Sequence, residues 1–183
     1  LVLAAQQKFE QALSDLTACH QRNPNGHHAA QALLQQGLLF ARVGRYDESV
    51  RAFDRLIREY TYSSLADSAR VRVLPTLSES GAPQDAVNRS GRYLDVIERN
   101  PFLGDDLEQE YLYAHAVALA QARARSEAKI ALLRYTSDFP SSVHIGEVYY
   151  ALGQMYKDEG KIDLATAYLQ QAASFKHGTE AMR

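Results

Sequence analysis

The strongest constraint in this sequence is a repeated interruption. Signals that end a helix fall at Pro24, Thr61, Pro101, Pro140 and His177, at intervals of 37, 40, 39 and 37 residues. Between them the apolar residues follow helical spacing. The stretch Gln36–Tyr60 shows the unit most clearly. Leu34, Leu38 and Val43 form one apolar stripe, Val43-Gly44-Arg45 supplies a tight turn, and Tyr46, Val50, Phe53 and Ile57 form a second stripe. Two stripes joined in this way make a helical hairpin. Such a hairpin cannot bury its apolar face by itself, so a chain of them folds by stacking each on the next.

In chain order the spacing predicts one repeat domain over 1–183, with a leading half unit at 1–24 and units at about 28–61, 64–101, 105–140 and 142–177. Residues 1–22 read as a helix with Phe9, Ala12, Leu16 and Cys19 inward, stopped by Asn23-Pro24-Asn25-Gly26. The chain starts inside an apolar helical pattern without an initiator Met, which suggests a fragment whose first hairpin is cut in half. His28–Arg42 and Tyr46–Tyr60 make the first full hairpin. Ser64-Leu65-Ala66-Asp67 is a capping-box candidate. The helix it opens carries Val71 and Leu74, then meets Pro75, which predicts a kink or an early end. Gly81-Ala82-Pro83 is the expected turn, and Asp85–Arg99 the partner helix, with Ala86, Tyr93, Val96 and Ile97 inward and Asn100-Pro101 as its stop.

Asp105-Asp106-Leu107-Glu108 opens the next hairpin with acids at the positive helix end. Leu112, Tyr113, Ala116, Leu119 and Ala120 form its inner stripe. A turn near Ala122–Arg125 leads to Ser126 as N-cap and to Ala128, Leu132, Leu133 and Tyr135, ending at Asp138-Phe139-Pro140. The last unit has Tyr149, Leu152, Gly153 and Tyr156, the turn glycine Gly160, then Ala165, Leu169 and Ala172, with Gly178 as the stop. About nine helices result.

Gly37, Phe40, Gly44, Tyr46 and Phe53 stand where a tetratricopeptide repeat has its small residue, first-helix aromatic, turn glycine and second-helix aromatics. The chain therefore resembles the tetratricopeptide-repeat (TPR) family over nearly its whole length, with units longer than the usual length of about 34 residues. The junctions Tyr60-Thr61-Tyr62-Ser63-Ser64 and Phe139-Pro140-Ser141-Ser142 are similar to the aromatic-Pro-x-Ser linker of bacterial cell-envelope TPR proteins of the BamD and YbgF (CpoB) kind. Thr61 replaces the proline in the first, and the Pro101 junction lacks the serines. The resemblance implies an all-α, right-handed α-solenoid of TPR-like hairpins. It further implies a non-enzymatic adaptor, periplasmic or outer-membrane-associated, without a cofactor.

Composition narrows the partners. A formal charge of −2 and a pI near 6.3 offer no basic field for nucleic acid or anionic lipid. No window approaches the roughly 18 apolar residues of a membrane-spanning helix. The one cysteine, Cys19, is read as a buried helical residue. Leu16-Thr17-Ala18-Cys19 matches a lipoprotein cleavage box, but Lys8, Glu10 and Asp15 interrupt the apolar segment that such a signal needs.

No phosphate-cradling, nucleophile-elbow or metalloprotease signature is present. Cys19, His20, His27 and His28 form the one metal-like cluster, and their spacing does not supply a closed ligand shell, so a solvated loop is expected. Asp47-Glu48, Asp105-Asp106 and Asp158-Glu159 read as capping and solvating acids at turns and helix starts. His115 and His144 have no adjacent nucleophile.

What remains is surface. In stacked hairpins the first helices line the inner wall, and their exposed positions are expected to bind a protein or peptide. These are Gln31, Leu34, Leu38 and Arg42, then Ser68, Val71 and Arg72, then Glu110, Tyr113 and Val117, then Tyr150, Gln154 and Lys157. Apolar and aromatic groups would supply desolvation, and Arg42, Arg72, Gln154 and Lys157 would fix orientation. The apolar members have an equal claim to be neighbour packing. The basic run Arg42, Arg45, Arg51, Arg55 and Arg58 reads mainly as a solvated face answered by Glu48 and Glu59. Two alternatives stay open: a cytoplasmic TPR adaptor or co-chaperone, and a module that drives homo-oligomerisation or docks a further domain.

Overall fold

The computed structural model describes residues 2–24, 26–98 and 104–180. Among them are nine α-helices and no strand: α1 (Val2–Arg22), α2 (His27–Arg42), α3 (Tyr46–Glu59), α4 (Ser64–Glu79), α5 (Pro83–Glu98), α6 (Asp105–Gln121), α7 (Arg125–Asp138), α8 (Ile145–Asp158) and α9 (Ile162–Glu180). They divide into two compact units, α1–α5 and, from Gly104 on, α6–α9. In the first, each helix packs on the next and α2 also touches α4; in the second, α6 through α9 pack in sequence.

The four hairpin turns are one device used four times. Gly44, Gly81, Arg123 and Gly160 have φ of 76°, 86°, 61° and 73°. Each donates its N–H three residues back, to Ala41, Ser78, Ala120 and Lys157 respectively. The following residue in each case donates five back, to Phe40, Leu77, Leu119 and Tyr156, at 2.9–3.0 Å. This is the Schellman arrangement, which satisfies the last carbonyls of the first helix and requires a left-handed residue at its centre. Glycine meets that requirement at three turns, and Arg123 at the fourth.

The two serine junctions also share a mechanism. Ser63 N–H donates to Tyr60 O at 2.9 Å and Ser142 N–H to Phe139 O at 3.1 Å. Each hydroxyl then accepts from the amide two residues on, Leu65 at 3.2 Å and His144 at 3.1 Å. The α4 cap is thus Ser63 and not Ser64, because the turn closed on Tyr60 leaves Ser63 extended (φ −85°, ψ 141°) with its hydroxyl facing the new helix. Asp67, expected in a capping box, instead pairs with the buried Arg70 at 2.5 Å, and Arg70 holds Thr61 O at 3.3 Å.

The cores follow from the apolar stripes. Phe53, Leu56, Val73 and Leu74 are fully buried in the first unit, as are Tyr111, Tyr135 and Leu152 in the second. Each such side chain contributes about 1.5–3 kcal/mol of transfer free energy. Two glycines let helices approach closely. A Cβ on Gly37 would sit 2.4 Å from Phe53 Cε1, and one on Gly153 would sit 2.7 Å from Leu169 Cγ. Ser49 Oγ donates to Gly37 O at 2.7 Å and fixes the first crossing.

Several expectations are corrected. Helix α4 does not end early at Pro75 but runs through it to Glu79: losing one donor costs about 3 kcal/mol in an isolated helix, but Val73, Leu74, Thr76 and Leu77 around it are buried. Pro83 is not in the turn; it opens α5, where a missing N–H costs nothing. Ser126 is not a cap, because α7 starts at Arg125 directly from the Schellman turn and the cap position falls on Ala124. Gly178 does not stop α9, which extends to Glu180. Val96 is 42% exposed rather than inward. The Asn100-Pro101 stop and the Ile97 side chain lie outside the described residues.

Candidate functional site

In the first unit the outward stripe of α2 is His28, Gln31, Gln35, Leu38 and Arg42, spaced at three and four residues. Gln31, Gln35 and Arg42 are exposed and Leu38 is half-buried. Ser68 and Arg72 occupy the corresponding face of α4, half-buried and exposed respectively. The starts of α2 and α4 enclose a hollow of about 620 Å³ bounded by His28, Gln31, Tyr60, Ser63, Ser64 and Leu65. Tyr60 holds one wall by donating its hydroxyl to the Pro24 carbonyl. Burial, and secondarily the neighbouring Glu59 charge, raises its phenol above the usual range.

Leu34 and Val71 do not belong to this surface. They stand 37 residues apart at equivalent positions of α2 and α4, are 8% and 2% exposed, and fill the core. His28 and Gln35 were missed by the sequence reading, although the three-and-four spacing from Gln31 points to both. Tyr60, Ser63 and Ser64 were read as linker residues, and only the fold brings them beside α2.

In the second unit Glu110, Tyr113 and Val117 on α6 and Gln154 on α8 are half-buried, while Tyr150 is 54% exposed and Lys157 is exposed. Tyr113 is the organising residue. Its ring stacks on His144 at 4.0 Å and 7° and tilts against Tyr135 at 5.9 Å. Its hydroxyl donates to Glu147 Oε2. Desolvation first, then the Glu147 hydrogen bond and charge, push the phenol far above its ordinary range and keep it protonated. Tyr113 thus ties α6 to the start of α8. Tyr135, fully buried, shares a 2.5 Å hydrogen bond with Ser142.

Several of the charged groups first read as solvated have partners. Arg45 lies 4.7 Å from the Phe40 ring centroid and 5.8 Å from that of Phe9, and pairs with Glu48 at 2.8 Å and Glu10 at 3.4 Å. Arg55 pairs with Glu59 at 2.8 Å. Asp158 meets Arg125 at 3.0 Å, and Glu159 meets Lys161 at 2.9 Å and also Lys129. Hydrogen bonds from these two lysines hold the Glu159 carboxyl down to about 2.

The Cys19 and His20 expectations reverse. Cys19 is exposed, whereas His20 is 2% exposed, set edge-on to Tyr60, with Nε2 3.4 Å from Glu59. One residue is 100° of helix, so His20 takes the inward place beside Leu13 and Leu16. No group of three His, Cys, Asp or Glu that could hold a metal occurs among the described residues. His115 is mostly buried, and desolvation lowers its pKa.

Residues 31–61 and 146–176 each match a family model described as Tetratricopeptide repeat, so each unit carries such a repeat. No curated protein matches the chain. Among solved structures, residues 41 to the end of MamA from Desulfovibrio magneticus RS-1 superpose with a TM-score of 0.74 at 15% identity, over 96% of this chain and 89% of that one. BtubC from P. vanneervenii gives 0.78 at 14% identity, over 97% and 76%. PlcR from Bacillus thuringiensis gives 0.65 at 14% identity, over 98% and 70%. The chain therefore has the all-α fold of helical hairpins that these structures share.

Proposed function

We propose that this protein is a non-enzymatic scaffold that holds a polypeptide partner against the exposed faces of its first helices. The observation that carries the reading is the hollow between the starts of α2 and α4. It sets the Leu65 side chain and the Tyr60 ring among amide, hydroxyl and imidazole groups of Gln31, Ser63, Ser64 and His28. Such a mixture desolvates an apolar side chain while offering hydrogen bonds to the extended backbone that carries it. Arg42 and Arg72 lie further along the same faces and would read acidic positions of the bound segment. Tyr113, Tyr150 and Gln154 offer an aromatic and amide surface of the same kind on the second unit. PlcR, which shares the fold, was crystallised with the peptide PapR7 and DNA, which supports a peptide as the class of ligand.

The compartment we propose is the bacterial cell envelope, on the strength of the aromatic-x-x-Ser junctions at Tyr60–Ser63 and Phe139–Ser142. A signal peptide encoded upstream would support that placement, and an initiator Met with no apolar segment would remove it. The binding reading is tested by affinity capture from the native cell with mass spectrometry, comparing the wild type with Gln31→Trp. The substitution fills the hollow from an exposed position, so the melting temperature stays the same and the specific partner is lost. An unchanged set of captured proteins would refute the site.

A further inference from the structure

We infer that the outer face of α3 is a second docking surface, which receives an acidic segment of a partner protein. The buried residues of α3, Ser49, Ala52, Phe53 and Leu56, form one side of the helix. At about 100° per residue, Arg51, Arg55 and Arg58 fall within about 60° of one another on the opposite side, over about 10 Å of helix axis. Arg51 and Arg58 are exposed, and the Arg55 side chain is 46% exposed.

The carboxylates of α3 are largely committed elsewhere. Glu48 pairs with Arg45, which also reaches Glu10 of α1. Asp54 holds Arg89 of α5. Glu59 is shared between Arg55 at 2.8 Å and His20 of α1 at 3.4 Å. Asp47 stands in the first turn, where a negative charge complements the positive helix end. Among the described residues the guanidinium groups of Arg51 and Arg58 form no hydrogen bond or ion pair; Arg51 acts on Glu48 through its charge alone. The ridge therefore keeps positive charge at the surface.

The fold does not require that charge. Counting back 37 residues, the interval from Gly44 to Gly81, the same positions of α1 are Ser14, Ala18 and Gln21. Counting forward 116, the interval from Gly44 to Gly160, those of α9 are Ala167, Gln171 and Ser174. Small neutral side chains thus serve at this place in the repeat. The helix dipole favours a cation at Arg58, in the last turn, but not at Arg51 in the N-terminal half. Three arginines in register, on a chain of formal charge −2, match a segment whose Asp or Glu side chains recur at about 5–6 Å. Each guanidinium fork can take a carboxylate through paired hydrogen bonds. A continuous phosphate chain fits less well, because Asp47, Asp54 and Glu59 on the same helix would repel it. None of the three arginines bounds the α2–α4 hollow.

The test titrates a fluorescent polyglutamate peptide into the intact chain and follows polarisation. Saturable binding is expected at low salt, weakening as salt rises from about 20 to about 300 mM. Arg51→Gln with Arg58→Gln should weaken it about tenfold. Both side chains are exposed, so the melting temperature should hold within about 1 °C. Gln31→Trp, which fills the hollow, should leave the affinity unchanged, so the two sites stand or fall separately. The proposal is overturned by an absence of saturable binding, or by an affinity that the double variant leaves intact. Weakening by Arg42→Gln with Arg72→Gln instead would place the acid on α2 and α4, and tighter binding of oligothymidine than of polyglutamate would make the ridge a nucleic-acid contact; either result also overturns it.

Discussion

Arg123 is the one non-glycine residue with positive φ among the described residues, and it sits at the turn centre that glycine fills three times elsewhere. An L-residue held in the left-handed region costs about 1–2 kcal/mol through the approach of Cβ to its own carbonyl. Replacing it with glycine removes that cost but returns about 0.4–1 kcal/mol of conformational entropy to the unfolded chain. Arg123→Gly should therefore stabilise the protein by about 0.5–1 kcal/mol, or roughly 1–4 °C in melting temperature for a chain of this length. Gly160→Ala is the mirror experiment. An added Cβ there meets no atom within 4 Å, so any loss is conformational, and it should be about 1 kcal/mol. Both are measured by urea denaturation with circular dichroism, with m-values held equal. A destabilised Arg123→Gly or a neutral Gly160→Ala would show that the turn is not limited by φ, and the reading of the four turns as one Schellman device would fall.

Two other glycines should respond with opposite signs. Gly37→Ala drives a methyl into the Phe53 ring and should destabilise by about 1–2 kcal/mol, whereas Gly91→Ala, with open space around it in α5, should stabilise by about 0.5–1 kcal/mol; thermal melts decide both. The Glu159 carboxyl is depressed from 4.5 to about 2 by Lys129 and Lys161. Its contribution is therefore present above pH 4.5 and lost as pH falls toward 2, so the stability difference between wild type and Glu159→Gln should shrink across that window in pH-dependent melts. Arg45→Met keeps the aliphatic stem but removes the cation between Phe9 and Phe40. It should loosen α1 by about 1 kcal/mol, seen as faster amide exchange in α1 than in α4. Ser63→Ala removes the α4 cap and should cost about 1 kcal/mol in the same melts.

Much of the architecture was legible because it is written in local periodicity. The apolar stripes and the glycine turns placed most described helix ends to within a few residues, although α4 runs on past Pro75 to Glu79, and Gly37 and Phe53 already stood as the small residue and the second-helix aromatic of a tetratricopeptide pattern. The candidate surface was legible only in part. Gln31, Arg42, Ser68 and Arg72 were recognisable from spacing, but Leu34 and Val71 follow the same helical rhythm and went to the core. Their side chains carry no mark that distinguishes a binding leucine from a packing one; only the position of the neighbouring helix does.

The same division explains Cys19 and His20. Sequence periodicity marked α1 as an amphipathic helix and placed Cys19 inward, because Cys19 continues the three-and-four spacing of Phe9, Ala12 and Leu16. In the folded unit α1 is held by α2 along Leu13 and His20, so a histidine with a polar ring is buried against Glu59 and Tyr60 while the cysteine faces outward. Local hydrogen bonding and side-chain pattern determined where this chain is helical and where it turns, because those are decided within a few residues. Which face of each helix is core and which is surface depended on contacts between residues tens of positions apart, and tertiary structure alone decided it.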